Sequence, residues 1–285
     1  MDSRCEVCGA PTAQWVLDAD NQLTRCTACG HLTRDLTEAP AHHRAAAYGG
    51  EPHLDRMRLR LTHRLLEQAC PVRPSSVFEI GYGSGQLLRA FADGGAQVGG
   101  ADPDQLEVAV DPVVAAGGGL HPVAVEDLDE DVVDRTAADL VFGVHVVEHV
   151  RDPARTMQVA ARLARPGGTL AFLTPAGDSD GLHRWGSDWW MLEDPTHVRF
   201  FTADSLTRLA LSAGLQDVQV HRPRLDSLVT DAASAARRRG TGPAGALAAR
   251  SVLARAALSA PWVLTRRTVQ PRSRPSLLLV ARRPT

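Results

Sequence analysis

Residues 79–85 of this 285-residue chain read Glu-Ile-Gly-Tyr-Gly-Ser-Gly and directly follow the apolar pair Val77 and Phe78. Glycine at every second position permits positive φ angles and lets the backbone approach a ligand closely. A dinucleotide-binding loop would carry its third glycine where Gln86 stands, and a phosphate-binding P-loop would contain Gly-Lys-Ser or Gly-Lys-Thr. The stretch therefore predicts a strand, a ligand-binding turn and a helix, but neither of these two nucleotide-binding types.

Strands and helices alternate on both sides of this loop. We predict strands at 77–80, 96–101, 120–125, 139–144, 169–174, 216–220 and 276–282, and helices at 86–93, 105–116, 152–165 and 204–213. Such alternation is typical of a parallel sheet with helices on both faces. The predicted fold class is α/β, with a Rossmann-like, doubly wound, mostly parallel seven-stranded sheet.

Four of the five cysteines form two Cys-x2-Cys pairs separated by 17 residues: Cys5, Cys8, Cys26 and Cys29. This spacing is typical of a tetrahedral zinc site, and a four-thiolate site is structural because it leaves no open position. A module this small depends on the metal for its folding energy. The predicted domains are a zinc ribbon at 1–36, a connector and helix at 37–75, and an α/β domain at 76–285.

The composition, 44% hydrophobic, suffices for one core and a small additional module. No apolar run reaches the roughly 18–20 residues of a membrane span, and the polar, cysteine-containing start is unlike a signal peptide. We expect a cytoplasmic protein, where thiols stay reduced and clustered cysteines indicate a metal.

Charge is distributed unevenly along the chain, whose net charge is −2. Residues 222–285 contain 13 arginines and two acids, while residues 1–221 carry a net charge of −13. The arginines centre on a predicted helical insert at about 223–275. They favour an anionic partner, although a solvated helix surface explains them equally well. The insert is interpreted as a clamp for a phosphate-bearing acceptor, as a peripheral membrane contact, or as a subunit interface, and the oligomeric state stays open.

Acidic residues follow the second and third predicted strands. Asp102 stands 17 residues beyond Gly85, where a carboxylate can accept both hydroxyls of a ribose. Glu126 and Asp127 come after the third predicted strand, within reach of an adenine amino group. Acids at strand ends also cap helices, so the interval between the loop and Asp102 is the stronger signal.

Residues 76–222 resemble the class I S-adenosylmethionine (SAM) dependent methyltransferases. The matching stretches are 78–85, 139–141 leading to 147–153, 163–168 and 197–202. With the cysteine ribbon, the similarity extends to the bacterial zinc-ribbon methyltransferases and to the branch of the ubiquinone-biosynthesis O-methyltransferases. The resemblance implies a SAM site formed by Glu79, Gly81, Tyr82, Gly83, Gly85, Asp102, Asp127 and His145. The sulfonium and ammonium groups of SAM suit the Glu79 carboxylate, and Tyr82 stands where the family usually has cysteine.

The sequence His145-x-x-Glu148-His149 follows the fourth predicted strand, at the edge where α/β sheets bind ligands. These side chains share one face if the segment is helical. The order also matches a zinc-protease motif, which needs a long helix and is rejected. In ubiquinone-type relatives the pattern begins with Glu and holds a divalent metal, so His145 makes such a second metal site doubtful.

Three roles remain for this cluster: a general base, a metal site, or bracing of the cofactor pocket. The candidate catalytic residues are His149, His197 and His145, because an imidazole can accept the proton of a hydroxyl. His197 ends a loop, 185–201, rich in tryptophan and acids. Its aromatic side chains either wall an acceptor pocket or pack beneath it.

The resemblance predicts an enzyme of class EC 2.1.1 that transfers a methyl group from SAM to an oxygen of a small molecule. The implied acceptors are sugars, nucleotide-activated or lipid-linked glycans, and secondary metabolites. One alternative is an RNA base methyltransferase that grips RNA with its ribbon. The ribbon's three arginines against five acids disfavour nucleic acid. The other alternative is a non-catalytic SAM-fold binding protein.

Overall fold

The computed structural model describes residues 4–18, 22–34, 52–103, 108–240 and 249–285. The predicted connector at 37–50, the start of the helix predicted at 105–116, and residues 241–248 of the insert lie outside them. The chain divides into two compact units, which we describe separately. The ribbon unit comprises Met1–Arg58, Pro175–Ser205 and Arg222–Leu277, and the sheet unit comprises Leu59–Thr174, Leu206–His221 and Leu278–Thr285.

Strands and helices are numbered in chain order over the described residues. The strands are β1 (Thr12–Val16), β2 (Gln22–Cys26), β3 (Leu32–Thr33), β4 (Ser76–Ile80), β5 (Gln97–Ala101), β6 (Leu120–His121), β7 (Ala138–Val144), β8 (Ala164–Pro175), β9 (Arg199–Phe200), β10 (Gln216–His221) and β11 (Ser276–Arg282). The helices are α1 (Pro52–Ala69), α2 (Gln86–Asp93), α3 (Pro112–Ala116), α4 (Glu130–Arg135), α5 (Pro153–Leu163), α6 (Asp180–Trp185), α7 (Ala203–Ser212), α8 (Thr230–Arg238) and α9 (Arg250–Val269).

The sheet unit contains the predicted seven-stranded sheet, in the order β10-β11-β8-β7-β4-β5-β6. The pairs β4–β5, β4–β7, β5–β6 and β7–β8 are parallel, and β10 runs antiparallel to β11. The expected α/β fold class is therefore confirmed. Ile80 pairs with Ala101, so the carboxyl ends of β4 and β5 lie side by side at one edge of the sheet.

An apolar core holds this sheet against its helices. Val77 of β4, Phe142 of β7 and Leu173 of β8 are each at most 3% exposed. They pack with Leu88 and Phe91 from the buried face of α2. Burial of such side chains contributes about 1.5–3 kcal/mol each, which fixes the strand ends that carry the candidate site.

Two predicted elements near the third strand are shorter than expected. Pairing of β6 stops at His121, because Pro122 has no N–H to donate and the chain turns away. Residues Val125–Asp127 form a 3₁₀ turn instead of continuing that strand. The described part of the helix predicted at 105–116 begins at Pro112, since the Asp111 side chain caps it by accepting from the backbone N–H groups of Val113 and Val114.

The ribbon unit contains a four-stranded sheet in the order β1-β2-β3-β9. The strands β1, β2 and β3 form an antiparallel meander next to the cysteines, and Leu32 of β3 pairs with Phe200 of β9. The short strand β9 was not predicted. Leu32, Trp189 and Phe200 are at most 1% exposed and form the centre of this unit's core.

Candidate active site and metal centre

The loop between β4 and α2 has the left-handed backbone that its glycines predict. The φ angles of Gly81 and Gly83 are +73° and +48°. A Cβ atom at Gly81 would lie 2.5 Å from Cγ2 of Val146, so the backbone conformation and the lack of space both require glycine there. The Gly81 N–H donates to the carbonyl of Ala101 at 2.8 Å, which fastens the loop to the end of β5.

Asp102 contacts the loop directly, as its position after the second predicted strand indicates. Its Oδ2 accepts a hydrogen bond from the Gly83 N–H at 2.8 Å, and the residue is 9% exposed. Its own N–H donates to the carbonyl of His121 on β6. The carboxylate therefore lies in the crevice at the carboxyl ends of β4 and β5, the position at which open α/β sheets bind ligands.

Glu79 is a buried carboxyl group at the start of the same loop, and it is 4% exposed. It accepts a hydrogen bond from the backbone N–H of Leu88, whereas its Oε2 has no partner among the described residues. Burial, and secondly the nearby Asp102 carboxylate, raise the pKa of Glu79 well above its usual value. A buried, unpaired acceptor beside a second acid fits a cationic ligand group.

Glu79→Gln is expected to stabilise the ligand-free protein more strongly as the pH rises. The pKa of Glu79 is higher in the folded than in the unfolded state, so its favourable contribution exists below the unfolded pKa and disappears as the pH rises through the folded pKa. Glutamine does not ionise, and an unpaired buried group costs about 1–3 kcal/mol. Urea unfolding at pH 5 and pH 8.5 measures the difference.

Glu130→Gln is the control for this comparison. Glu130 is exposed, and its hydrogen bond from Arg162 lowers its pKa, so this carboxylate stabilises the fold above its unfolded pKa. The control should therefore be slightly destabilised at both pH values. An equal effect of Glu79→Gln at pH 5 and pH 8.5 would contradict the assignment.

Tyr82 lies over the second strand of the site. A Cβ atom at Gly100 would stand 2.9 Å from Cδ1 of the Tyr82 ring, so the ring lies directly against β5. The Tyr82 carbonyl accepts from the N–H of Gly85 at 2.7 Å, which closes the loop before α2. A contact of Tyr82 with the ligand stays a prediction.

The acidic pair after the third strand is arranged differently from expectation. Glu126 and Asp127 lie in the 3₁₀ turn rather than at the end of a strand, because β6 stops at His121. Glu126 accepts from the Thr156 hydroxyl at 2.5 Å, whereas Asp127 is exposed. Recognition of adenine by Asp127 stays a prediction.

The segment 145–149 forms a turn after β7 and not a helix. His145 has a φ of +56°, and its N–H donates to the carbonyl of Leu173 on β8. Its Nδ1 lies 3.1 Å from Oε1 of Glu148, which is fully buried. The hydroxyl of Thr174 donates to Oε2 of Glu148 at 3.0 Å. Both Glu148 oxygens are thus occupied, an arrangement that favours an orienting role for Glu148.

Sequence reasoning missed Thr174 because a threonine at the end of an apolar strand has no distinctive pattern. The predicted second metal site at His145, Glu148 and His149 stays a prediction. Ligand atoms of Glu148 and His149 lie within 4.8 Å of each other. His149 itself is half-buried, and its N–H donates to the carbonyl of Val146 at 2.8 Å.

His197 belongs to the ribbon unit. Its Nδ1–H donates to the carbonyl of Met191 at 2.7 Å, and its ring meets the edge of Phe200. Because a carbonyl only accepts, this bond places a proton on Nδ1. Around it the aromatic residues of the loop pack inward: Trp189, Trp190, Phe200 and Phe201 are at most 8% exposed. Within the ribbon unit these side chains build the core.

The four cysteines of the predicted ribbon converge. Their Sγ atoms lie 3.7 Å apart for Cys5 and Cys29, 3.5 Å for Cys8 and Cys26, and 3.6 Å for Cys8 and Cys29. A zinc ion about 2.3 Å from each of four sulfurs requires separations of just under 4 Å between them. The donor set and its geometry therefore fit a closed, structural zinc site.

Backbone N–H groups within each cysteine pair point to these sulfurs. The N–H of Val7 points to the Cys5 sulfur and that of Cys29 to the Cys26 sulfur. Burial raises the pKa of the Cys5 thiol to about 11. Burial also acts on Cys26, but the backbone N–H groups of Cys29 and Ala28 outweigh it and lower its pKa to about 6.

The arginine-rich insert contributes mainly internal hydrogen bonds. Arg267 is 1% exposed and donates to the carbonyls of Arg224, Asp226 and Ser227. Arg274 likewise donates to the backbone. Other cations remain exposed on α8 and α9 or directly after α8: Arg238, Arg239, Arg250 and Arg255. No helix in the described ranges has the length and apolar composition to cross a bilayer.

The sequence profile of the methyltransferase-domain family matches residues 43–220, which is more than half of the chain. Ubiquinone biosynthesis O-methyltransferases are similar in sequence. The protein of Thiobacillus denitrificans is 30% identical over 161 residues, covering 54% of this chain and 69% of that one. The protein of Cereibacter sphaeroides is 32% identical over 165 residues, covering 54% and 66%. The protein of Sodalis glossinidius is 34% identical over 120 residues, covering 41% and 47%. The matched part thus spans about half to two thirds of these relatives.

Solved structures share the fold at low sequence identity. The phosphoethanolamine N-methyltransferase 2 of Haemonchus contortus, in complex with S-adenosyl-L-methionine, has a TM-score of 0.51 and 16% identity, covering 79% of this chain and 53% of that one. The [4+2]-cyclase SpnF has a TM-score of 0.51 and 20% identity, covering 87% and 88%. One of these two is a methyltransferase and the other a cyclase, so the likeness concerns the fold alone.

Proposed function

This chain belongs to the methyltransferase-domain family of class I SAM-dependent methyltransferases, and from this premise we propose that it methylates an oxygen of a small molecule. The observation that carries the proposal is the hydrogen bond from the Gly83 N–H to Asp102, because it joins the glycine loop and the strand-end carboxylate into one ligand crevice. The similarity to proteins named O-methyltransferases supports oxygen as the acceptor atom.

In the proposed site SAM is held by residues of the sheet unit. The loop at 79–85 supplies backbone N–H groups, Asp102 accepts from the ribose, and Glu79 offers a carboxylate to a cationic group. Asp127 and His145 complete the proposed set. When bound, SAM supplies an electrophilic methyl group on a sulfonium.

The protein's own chemical task is small: it aligns the acceptor oxygen and removes its proton. We assign the proton acceptor to an imidazole, His149 in the sheet unit or His197 in the ribbon unit. Glu148 orients His145 through Nδ1, which supports a pocket role for that residue. A second divalent metal at His145, Glu148 and His149 is the competing proposal.

Sugars, nucleotide-activated or lipid-linked glycans and secondary metabolites are the proposed acceptors. A phosphate group would find the exposed Arg250 and Arg255, and the same helix α9 exposes Leu258 and Trp262 to a peripheral membrane contact. We place the protein in the cytoplasm, where four closely spaced cysteines stay reduced and bind metal.

Calorimetry with S-adenosylhomocysteine (SAH) on zinc-loaded protein tests the cofactor assignment. Hydrogen bonds to a charged group contribute about 1.5–3 kcal/mol, so Asp102→Ala should weaken SAH binding by roughly 10–140-fold. Asp102→Asn keeps an acceptor for the Gly83 N–H and should lose about tenfold. Asp131→Asn, at an exposed surface pair, should bind as the wild type does.

Absence of SAM and SAH binding to the wild type would refute the proposed function, as would tight binding of a dinucleotide in their place. The acceptor class is then tested with isotope-labelled SAM and a panel of sugar, nucleotide-sugar and phenolic hydroxyl acceptors. Transfer to a ring nitrogen or to RNA, with none to any hydroxyl, would contradict O-methylation.

A further inference from the structure

The strand β9 belongs to the four-stranded sheet β1-β2-β3-β9 next to the cysteines, here called the cysteine sheet. More than 160 residues separate β9 from β3 in the sequence. Leu32 and Thr33 of β3 pair with Phe200 and Arg199 of β9, and the N–H of Arg34 donates to the carbonyl of Val198 at 2.9 Å. Two paired residues make a strand that is too short to form alone. The segment 197–202, which begins with His197, therefore owes its conformation to the ribbon.

An ion pair between the buried Arg199 and the solvent-accessible Glu6 connects this segment to the first cysteine pair. Arg199, 2% exposed, donates from Nε and Nη2 to the two carboxylate oxygens of Glu6 at 2.8 and 3.0 Å. Glu6 lies between Cys5 and Cys8, and it also hydrogen-bonds Nε2 of His31 at 2.9 Å. Removing the carboxylate partner of a buried guanidinium strongly destabilises the folded state.

Further contacts connect the second cysteine pair to the same segment. The Thr202 hydroxyl donates to the carbonyl of Cys29 at 2.6 Å, and the His31 ring lies 4.7 Å from that of Phe201. Arg34, directly after β3, donates to the carbonyl of Asp194 at 2.9 Å. Both cysteine pairs and the strand after them thus hold residues 194–202.

We propose that the metal-loaded cysteine ribbon is the template on which residues 194–202 fold, and that Glu6 and Arg199 are positioning residues for His197. Zinc would order the cysteine ribbon, because the four sulfurs fit this ion. The Glu6–Arg199 pair then connects the ordered ribbon to β9. The role of His197 in methyl transfer rests on the proposed function, whereas the dependence of this segment's folding on the metal-loaded ribbon does not.

Tryptophan emission reports on this coupling, because all five tryptophans of the chain lie in the ribbon unit. Trp189 is fully buried and packs against Phe200 of β9, with ring centroids 5.5 Å apart. Zinc is removed from the full-length protein with a chelator, and hydrogen exchange of residues 198–201 is followed alongside emission and SAH binding.

Zinc removal is expected to red-shift the emission and to accelerate exchange at 198–201 by at least 100-fold. SAH affinity should change less than threefold, because the proposed cofactor residues belong to the sheet unit. Unchanged emission and unchanged exchange in zinc-free protein would overturn the proposal. Loss of SAH binding already in the zinc-loaded protein would instead refute the proposed function and leave the folding result readable.

Glu6→Gln tests the positioning role while all four cysteines are kept. It should accelerate exchange at 198–201 by about 100-fold, since Arg199 is left buried without its anionic partner, and lower kcat at an unchanged KM for SAM. Arg199→Lys keeps the charge and should show intermediate effects. Arg25→Gln, at an exposed position of the same sheet, should match the wild type.

Zinc content, measured by atomic spectroscopy, separates the outcomes. One zinc per chain with fast exchange in Glu6→Gln supports the proposal. Loss of both zinc and protection from hydrogen exchange also supports it, because it means that the Glu6–Arg199 pair stabilises the metal site in return. One zinc per chain with wild-type exchange and wild-type kcat in both Glu6→Gln and Arg199→Lys would overturn it.

Discussion

His149→Gln is expected to lower kcat by about 10²–10⁴-fold, the usual contribution of a general base, while SAH affinity stays within threefold. His149 is half-buried in the turn that follows β7, at the ligand-binding edge of the sheet. In the same turn Glu148 lies 3.1 Å from Nδ1 of His145, which supports a pocket role for His145 and makes His149 the candidate base to test first.

The pH profile of the reaction distinguishes a base from a merely structural residue. A general base acts only when it is deprotonated, so kcat of the wild type should fall toward acidic pH, and this acidic limb should vanish in His149→Gln. The metal alternative predicts in contrast that a chelator selective for the weaker site abolishes turnover and that added divalent ions restore it.

His145→Asn is the matched control in the same turn, because asparagine tolerates the left-handed backbone that position 145 requires. It should weaken SAH binding, in keeping with a pocket role, and retain the acidic limb. The reverse result, with wild-type turnover in His149→Gln and a loss of turnover in His145→Asn, would assign the base to His145. His197→Gln completes the set.

Gly81→Ala is expected to destabilise the protein by about 3 kcal/mol and to weaken SAH binding by more than 100-fold. The left-handed conformation costs an L-residue about 1–2 kcal/mol, and overpacking adds about 1–3 kcal/mol. The added methyl group would approach Cγ2 of Val146 to 2.5 Å, so the loop must shift away from Val146. Urea unfolding and calorimetry measure the two effects.

Two further variants separate the causes of this loss. Gly95 has a φ of +87° and open space around its Cα, so Gly95→Ala isolates the backbone term, about 1 kcal/mol, with unchanged SAH affinity. Val146→Ala in the Gly81→Ala background removes the clash and should recover the steric part. Equal destabilisation by Gly81→Ala and Gly95→Ala would show that contact with Val146 is unimportant.

The features that the sequence predicted correctly depend on local chemistry. A loop that needs positive φ angles can be recognised by its glycines. The helix α2 begins and ends at the predicted residues, Gln86 and Asp93. The spacing of the two Cys-x2-Cys pairs predicts that the four cysteines converge, and the alternation of apolar strands with helices predicts the α/β fold. Asp102 was found because the loop and the following strand end are neighbours in every sheet of this type.

Features that depend on distant partners could not be predicted. Glu148 was assigned to a helix face or a metal, and its partner Thr174 lies on another strand. Arg199 and Arg267, each at most 2% exposed, are buried, although arginines usually lie at the surface.

The sequence by itself thus determined the fold class, the left-handed glycine loop beside Asp102, and the cluster of four cysteines, because each follows from backbone demands or short spacing. Only the tertiary structure decided that β9 completes the cysteine sheet, that Glu6 meets Arg199, and that Glu148 orients His145. The reason is physical: a side chain's charge and polarity are properties of one residue, whereas its partner is set by which strands and loops lie side by side.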